Sequence, residues 1–307
     1  MSNNFHDGIE MGWLPGGKRL SMRHGPIDLI IEADGDRTQV EKAYQQAASA
    51  FETVLSELVS ELEILRKPLG DRRQVLQGVI AGNMQRAVRN IADDVFATPM
   101  IAVAGAVADR VLHAMKDNTQ LERAYVNNGG DIALYLSSKA TFDVGICSNI
   151  ETGSLMSKAH ICADDNIGGI ATSGWRGRSH SFGIADAVTV LAVDGATADT
   201  AATLIANEID LPDHPAISRT PAVELSPDSD LGYQLVTVAV GNLTVPETKA
   251  ALCRGQEFAS GMIERGDVQA VHASLNGRSF SLRSDSVGRG EEYIDRAAVS
   301  KEEMFYA

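Results

Sequence analysis

Three oxygen-bearing side chains recur at four-residue intervals in the middle of the chain: Asp199, Thr203 and Asn207. A spacing of four residues advances about 40° around an α-helix, so the three side chains would share one face. Mg²⁺ prefers oxygen ligands, and the pattern therefore predicts a cation site on this helix. A second interpretation stays open. If Thr197 caps the helix, Asp199 lies in its first turn, where the helix dipole stabilises a carboxylate by about 0.3–1 kcal/mol without a metal.

A run of two asparagines, two glycines and an aspartate separates two β-like segments at residues 127–131. Consecutive glycines permit positive φ and carry no side chain, so backbone N–H groups can approach a phosphate, a carbonyl or a ring. Asn-Gly between alternating strands is also the commonest signal for a tight hairpin, which would need no ligand. The candidate binding residues in this run are Asn127, Gly129, Gly130 and Asp131.

A second candidate segment, residues 168–183, is rich in glycine and serine and carries no acidic side chain. An acidic chain of this composition would place about three acids between Asp165 and Asp186, where none occurs. Guanidinium groups, hydroxyls and glycine N–H groups together suit an anion such as phosphate or carboxylate. A solvated loop whose arginines pair with surface acids is the other interpretation. The candidate anion-binding residues are Thr172, Ser173, Gly174, Arg176, Arg178 and Ser179.

His180 lies in the same segment and is a candidate general acid or base, because the pKa of histidine lies near neutrality. A lone histidine is more often structural, and the other six histidines show no metal-ligand spacing. The three cysteines form no Cys-x-x-Cys pair and are odd in number, which favours reduced thiols over a disulfide framework. The sequence therefore predicts no zinc cluster.

The elements that must position these residues follow from hydrophobic spacing and capping signals. Residues 27–33 form an apolar run of strand length. A capping box of Thr38 and Glu41 then predicts a helix that continues to Pro68. A second helix is predicted from Thr98 and Pro99, and a glycine among its alanines, Gly105, indicates close approach of another backbone or a ligand.

Further along the chain, strands and helices are predicted from the same signals. A loop or insertion is predicted over residues 208–231, which hold four of the nine prolines in an acidic context. We expect residues 1–20 to form a tail and residues 21–307 to form a single domain. The remaining predicted elements are β-like runs over 123–146, a strand at 187–193, a helix at about 197–207, a strand at 234–240, a helix at 246–265 and a hairpin around Asn276-Gly277.

The composition excludes several classes of protein. The chain has 307 residues, enough for a full hydrophobic core, and a formal net charge of −14. Duplex DNA or an anionic membrane surface would be repelled by that charge, so neither is expected as a partner. The N-terminal sequence lacks a basic region followed by an apolar run, and no stretch of 18 uncharged apolar residues occurs. We therefore expect a soluble, cytoplasmic protein, with oligomer formation left open.

Taken in order, these segments resemble the ApbE superfamily, whose best known members are FAD:protein FMN transferases. The matching stretches are VNNGGDIAL at 126–134, ATSG at 171–174 and DAVTVLAVDGATADTAATLIAN at 186–207. The resemblance implies an α+β fold, ApbE-like or T-fold-like, in which two antiparallel-rich sheets are flanked by helices with the site between them. It also implies that Asp199 and Thr203 hold Mg²⁺, and that the segments at 127–131 and 172–174 line a pocket for FAD or FMN.

The chain also departs from the flavin transferases. Those enzymes carry a His-x-x-Asp-Pro-x-Thr-Gly segment after the Thr-Ser-Gly loop. Here His180 is followed by Ser-Phe-Gly-Ile-Ala and then Asp186, and this segment contains no Asp-Pro pair. A Lys-Gly pair typical of the preceding helix is replaced by Ala104-Gly105. The pattern Gly-Arg-Ser-x-Ser-Phe-Gly-x-Ala-Asp at residues 177–186 instead resembles a cytoplasmic, functionally uncharacterised branch of the superfamily. Transfer of FMN to protein is therefore the narrower hypothesis.

Three functions are compatible with these residues. The first is a metal-assisted enzyme acting on a nucleotide-like ligand such as a flavin, or on another small anionic cofactor or metabolite, with His180 or Asp186 as acid or base. The second is an FMN transferase in which Asp186 substitutes for the usual catalytic segment. The third is a flavin- or nucleotide-binding protein without turnover.

Overall fold

A nine-stranded antiparallel sheet forms the centre of the molecule in a computed structural model, which describes residues 8–70, 75–92, 95–149 and 154–284. The strands of this sheet are β1 (Ile9–Trp13), β2 (Leu20–His24), β3 (Ile27–Gly35), β4 (Leu121–Asn128), β5 (Asp131–Leu136), β8 (Gly169–Ser173), β9 (Ala187–Ala192), β12 (Ala270–Leu275) and β13 (Arg278–Arg283), in that spatial order. Two separate hairpins pair β6 (Thr141–Asn149) with β7 (Ser154–Cys162), and β10 (Ile217–Pro221) with β11 (Leu235–Val240).

The helices pack against one another and against one face of the sheet, as expected for an α+β fold. They are α1 (Arg37–Ser60), α2 (Leu62–Leu65), α3 (Val79–Ile91), α4 (Val103–Lys116), α5 (Gly195–Glu208), α6 (Ala222–Leu225) and α7 (Val245–Arg265), with 3₁₀ turns at Pro99–Ala102 and Ala163–Asp165. Within the described part of the chain, no helix is both long enough and apolar enough to cross a membrane.

Two hydrophobic cores explain why several strands are apolar on both faces. The larger core lies between the sheet and the helices, and it includes Leu29 of β3 and Val188 of β9. The smaller core includes Ile132 and Leu191 from the sheet, together with Phe142 of β6. All six residues of β9 are buried, which is the pattern expected of a strand covered on both sides.

The α+β class with an antiparallel-rich sheet flanked by helices is confirmed, but the division of strands differs from the expectation of two sheets. Strand β8 pairs with β5 through Ile132–Ile170 and Ala133–Gly169. This pairing joins strands β1 to β5 to strands β8, β9, β12 and β13 in one continuous sheet, and the other described strands form the two separate hairpins.

Most predicted elements are present, but two helix starts differ from the expected caps. The N-cap of α1 is Asp36, whose carboxylate accepts a hydrogen bond from the Thr38 amide at 2.9 Å. The N-cap of α5 is Asp194, whose carboxylate accepts one from the Thr197 amide at 2.8 Å. The expected Thr38 cap is therefore wrong, and the alternative in which Thr197 caps α5 is excluded, because in each case an aspartate two or three residues earlier already accepts the hydrogen bond of that amide. The cap at Thr98 is confirmed.

The segments expected to be irregular contain regular structure. β1 lies within residues 1–20 and pairs with β2, so the expected tail contributes an edge strand of the sheet. The proline-rich stretch 208–231 contains β10 and α6, and β10 pairs with β11. Pro221 lies at the end of β10 in this two-stranded sheet, where the loss of a backbone donor is tolerated.

Candidate functional site

A cavity of about 980 Å³ lies where the β4–β5 turn, the loop after β8 and helices α4 and α5 meet. Its other wall is formed by β3, the end of α1 and α2. The predicted site residues that line it are Asn127, Gly129, Gly130, Asp131, Thr172, Ser173, Gly174, Arg176, Arg178, Ser179, Asp199 and Thr203. Segments that are distant in the chain thus meet in one place, although the roles of these residues stay predictions.

The β4–β5 turn is both a tight hairpin and a wall of the cavity. Asn128 pairs with Asp131, which leaves Gly129 and Gly130 as a two-residue turn with φ of +66° and +120°. The Asn128 side chain donates a hydrogen bond to the Ala104 carbonyl at 3.1 Å, which ties the turn to the start of α4. The two interpretations of this run are therefore compatible with each other.

The position of Asp199 depends on a close contact between two helices. A Cβ placed on Gly105 of α4 would lie 2.1 Å from the Gly195 carbonyl oxygen, so only glycine allows α5 to pack at this distance. At that contact the Gly105 amide donates a hydrogen bond to Asp199 Oδ2 at 3.1 Å. Asp199 is the fifth residue of α5, beyond the first turn, and this excludes the interpretation that it merely stabilises the helix dipole.

A buried carboxylate on α4 completes the same contact. Asp109 accepts hydrogen bonds from the Gly195 amide at 2.8 Å and the Ala196 amide at 2.9 Å, and so occupies the N-terminus of α5. Burial, followed by the nearby negative charge of Asp194, raises the pKa of Asp109 to about 7. Arg86 compensates part of this charge through an ion pair with Asp194 at 2.9 Å. Asp109 therefore helps to position the helix that carries Asp199.

Two carboxylates, those of Asp131 and Asp199, face the cavity. Burial raises the pKa of Asp131 to about 7, against the opposing effects of the Thr172 amide and the Arg178 charge. Burial and the negative charge of Asp131 raise the pKa of Asp199 well above its ordinary value. Like charges held this close disfavour ionisation of both groups, and a bound cation would remove that penalty.

The oxygen donors at this point suit a hard divalent cation. They are the carboxylates of Asp199 and Asp131 and the hydroxyl of Thr203, all of which line the cavity. Mg²⁺ typically takes one or two protein carboxylates and completes its shell with water and substrate phosphates. In the part of the chain that the structure describes, no three His, Cys, Asp or Glu side chains form a metal cluster. The donor set therefore fits a cation shared with a ligand better than a closed structural site.

Arg178 provides a positive charge beside the β4–β5 turn. A Cβ on Gly129 would lie 2.6 Å from Arg178 Nη1, so the guanidinium packs directly against the glycine backbone. None of the described carboxylates forms an ion pair with Arg178. Its charge acts on Asp131 across the cavity. The guanidinium is therefore available to an anionic ligand.

Arg176 is bound differently, although it also lines the cavity. Its Nε donates a hydrogen bond to Asp186 Oδ1 at 2.9 Å, and its guanidinium lies 4.5 Å from the centre of the Trp175 ring. The other oxygen of Asp186 accepts a hydrogen bond from the Asn276 amide at 2.6 Å. Asp186 thus connects the loop after β8 to the β12–β13 turn. It does not line the cavity.

His180 and Asn207 also lie outside the cavity lining. The Asn207 side chain accepts hydrogen bonds from Ser181 Oγ at 3.1 Å and from the Phe182 amide at 2.9 Å. The third member of the four-residue repeat therefore anchors the loop that follows His180. Asn207 lies eight residues beyond Asp199, which is about 12 Å along the helix axis, so it contacts the loop rather than the cavity.

Sequence reasoning missed the aliphatic wall of the cavity and the role of Asp109. The signal for Asp109 was available, because this acidic residue directly follows an apolar, alanine-rich run at residues 103–108 in the same helix. A charged residue at such a position is rarely buried without specific partners. The aliphatic wall gave no such signal, because leucines and valines at helical spacing predict a core-facing helix equally well.

Comparison with known proteins places this chain among several related sequences. A family model described as AbpE bacteria matches residues 11–281. A UPF0280 protein from Methanococcus vannielii is 38% identical over 130 residues, which is 41% of this chain and 51% of the relative. A UPF0280 protein from Methanothermobacter thermautotrophicus is 34% identical over 145 residues, 47% of this chain and 54% of the relative. The chain spans about half the length of the curated relatives it matches.

Two solved structures show a remote likeness. A mutant of the flavin transferase ApbE from Vibrio cholerae has a TM-score of 0.47 and 12% identity, over 87% of this chain and 97% of that protein. The flavinyl transferase ApbE from Pseudomonas stutzeri has a TM-score of 0.43 and 13% identity, over 94% of this chain and 100% of that protein.

Proposed function

This chain belongs to the AbpE bacteria family, and with that membership as a premise we propose that it is a metal-assisted enzyme acting on a small anionic ligand. The ligand is either a nucleotide such as a flavin, FAD or FMN, or another phosphate- or carboxylate-bearing metabolite. The observation that carries the proposal is the pair of carboxylates, Asp131 and Asp199, which face one cavity that Arg178 also lines.

Each residue has a role that follows from its position. Asp199 and Thr203 would hold Mg²⁺, with Asp131 beside them, and Mg²⁺ when bound would act as a Lewis acid on a phosphoryl or carbonyl oxygen. Arg178 would bind the anionic group of the ligand. The glycine turn at Gly129 and Gly130 leaves room for the ligand to approach the backbone, because no side chain projects there.

The candidate acid or base differs from the two residues expected from the sequence. His180 and Asp186 do not line the cavity, and Asp186 is held by Arg176 and Asn276. Asp131 lines the cavity and, with the cation held by Asp199 and Thr203, is better placed for a proton transfer than His180 or Asp186. The FMN transferase hypothesis that depends on Asp186 therefore has less support than a metal-assisted reaction on a small ligand.

The first prediction concerns ligand and metal together. We expect a flavin, another nucleotide or a small phosphate to raise the melting temperature of the full chain in the presence of Mg²⁺, because binding to the folded state stabilises it. Asp199→Ala should abolish the Mg²⁺-dependent part of the rise. A thermal-shift screen with and without Mg²⁺ measures both effects.

The matched control is Asp164→Ala, which removes an exposed carboxylate distant in sequence from the predicted metal ligands. It should respond to ligand and Mg²⁺ as the unaltered protein does. Equal shifts in the unaltered protein and in Asp199→Ala would remove the cation from the proposal. Tight stoichiometric flavin binding without any product over hours would instead support a binding protein.

A further inference from the structure

One part of the cavity wall is aliphatic. We call it the aliphatic arm and define it by Ile30, Leu55, Val59, Leu62, Met100 and Val103. These side chains come from β3, α1, α2, the Pro99–Ala102 turn and α4. The described residues that line the cavity include no Phe, Tyr or Trp, so the arm offers no ring for stacking.

The helix predicted to run as far as Pro68 is interrupted within the arm. Glu61 leaves the helical conformation, with φ of −117° and ψ of 8°, and separates α1 from α2. Its carboxylate accepts hydrogen bonds from the Gln77 amide at 2.7 Å and the Gly78 amide at 2.8 Å. The interruption is therefore fixed by contacts to the chain before α3, and Leu62 beyond it lines the same cavity as Val59.

The apolar side chains of the arm are incompletely buried. Val59 is 57% exposed, and Leu55, Leu62 and Met100 are partly exposed, although all four line a concave cavity. Apolar surface in a concavity of this kind gains free energy when a ligand covers it. The arm is also continuous with the carboxylates and Arg178, so one ligand can contact both ends.

Among the residues that the structure describes, few polar groups line the arm. The charged side chains on this side of the cavity, within those residues, are Asp28 and Arg66, and Asp28 is already paired with Arg23 at 3.1 Å. A heteroaromatic ring carries polar edge atoms that lose water on binding and need hydrogen-bond partners in return. A hydrocarbon chain has no such requirement. The chemistry of the wall therefore favours a chain over a polar ring system.

We propose that the ligand of this site is an amphiphilic phosphate: a phosphate or diphosphate group at Asp199, Thr203 and Arg178, joined to a saturated or isoprenoid chain that lies in the aliphatic arm. This inference rests on the proposed function, because the same cation site holds the phosphate. It selects an anionic metabolite over a flavin as the ligand.

The test measures affinity along a series of alkyl phosphates. Methyl, butyl, octyl and decyl phosphate, each below its micelle-forming concentration, are titrated into the full chain with Mg²⁺ by calorimetry. We expect the dissociation constant to fall about two- to fourfold for each methylene that the arm covers, and to level off when the arm is full. FMN, FAD and inorganic phosphate are titrated in parallel.

Val59→Asp and Ser60→Asp form a matched pair of variants. Both residues are exposed near the end of α1, but only Val59 lines the cavity. Val59→Asp should weaken decyl phosphate at least tenfold more than it weakens methyl phosphate, whereas Ser60→Asp should change the two affinities by the same factor. Because the Val59 side chain is already exposed, both variants are expected to fold.

The possible results separate this inference from the proposed function. Mg²⁺-dependent binding of methyl phosphate with no gain for longer chains would overturn the aliphatic ligand and leave the metal-assisted site standing. Flavin that binds more tightly than every alkyl phosphate, and that Val59→Asp weakens, would assign the arm to a ring system and also overturn the inference. Failure of every phosphate to bind, with or without Mg²⁺, would overturn this inference and would leave a carboxylate-bearing metabolite as the remaining ligand for the proposed function.

Discussion

Asp109, Asp131 and Asp199 are three carboxylates with raised pKa values, and their surroundings give them different tasks. Asp109 accepts two backbone hydrogen bonds at the N-terminus of α5 and does not line the cavity. Asp131 and Asp199 line the cavity and repel each other. The first residue can therefore be tested through stability, whereas the other two are tested through ligand and metal binding.

The prediction for Asp109 is a pH dependence of stability. Its folded-state pKa of about 7 lies above the ordinary value of 3.8, so between these values the folded protein holds a proton that the unfolded chain has lost. Its contribution to the free energy of unfolding therefore falls as pH rises from about 4 to 7. Asp109→Asn should remove this dependence, which corresponds to roughly 2–3 kcal/mol between about pH 5 and 7.

Urea unfolding of the unaltered protein and of Asp109→Asn, at pH 5 and at pH 8, measures this difference. The asparagine side chain has one acceptor oxygen, whereas the two oxygens of Asp109 each accept a hydrogen bond from one backbone amide. One of these hydrogen bonds is therefore lost, and we expect the variant to be less stable at pH 5. Asp164→Asn, at an exposed position, is the control and should keep the pH dependence of the unaltered protein. Parallel pH dependences for the Asp109 variant and the unaltered protein would contradict the assignment.

At the scale of elements, the contact between α4 and α5 positions the predicted cation site. Gly105 and Gly195 let the two helices touch, and a Cβ on Gly169 of β8 would lie 2.1 Å from the Asp194 carbonyl oxygen. The start of α5 is therefore held between α4 and the sheet. Any increase in the helix separation would move Asp199 relative to Asp131, because the two lie on different elements.

Gly105→Ala tests this contact. The added methyl group would overlap the Gly195 carbonyl, so we expect a loss of about 1–3 kcal/mol in the free energy of unfolding, together with weaker Mg²⁺-dependent ligand binding. Gly82→Ala in α3 is the control, because a Cβ there meets no atom within 4 Å. Alanine is preferred to glycine in a helix by about 1 kcal/mol, so the control should be neutral or more stable. Similar losses for both substitutions would count against the helix contact.

At the scale of the whole molecule, the net charge of −14 sets the long-range electrostatic field. Proteins that bind duplex DNA without sequence preference do so with dissociation constants of about 10⁻⁴–10⁻⁶ M at physiological salt, through clusters of positive charge. We expect this chain to retain no duplex at about 10 μM protein and physiological salt in a mobility-shift assay. Retention that weakens as salt increases would reveal a local basic surface and contradict the expectation.

Several local features were determined by the sequence alone. The spacing of apolar residues predicted β9, α4 and α7, and the Asn-Gly-Gly run predicted the turn at Gly129 and Gly130, because these features depend on neighbours within a few residues. The interval of four residues between Asp199 and Thr203 placed both on one face of a helix. The resemblance to a family then selected these two residues as metal ligands, a role that stays a prediction.

Only the tertiary structure decided which of these features meet. The single continuous sheet depends on the pairing of β5 with β8, and the position of Asp199 depends on the Gly105–Gly195 contact. The position of Leu62 in the aliphatic arm depends on the hydrogen bonds that Glu61 accepts from the amides of residues 77 and 78. Each of these is an interaction between residues distant in the chain, whose free energy local propensity does not contain. For the same reason, the sequence could propose Asp186 as a catalytic group, whereas the fold pairs it with Arg176 and Asn276.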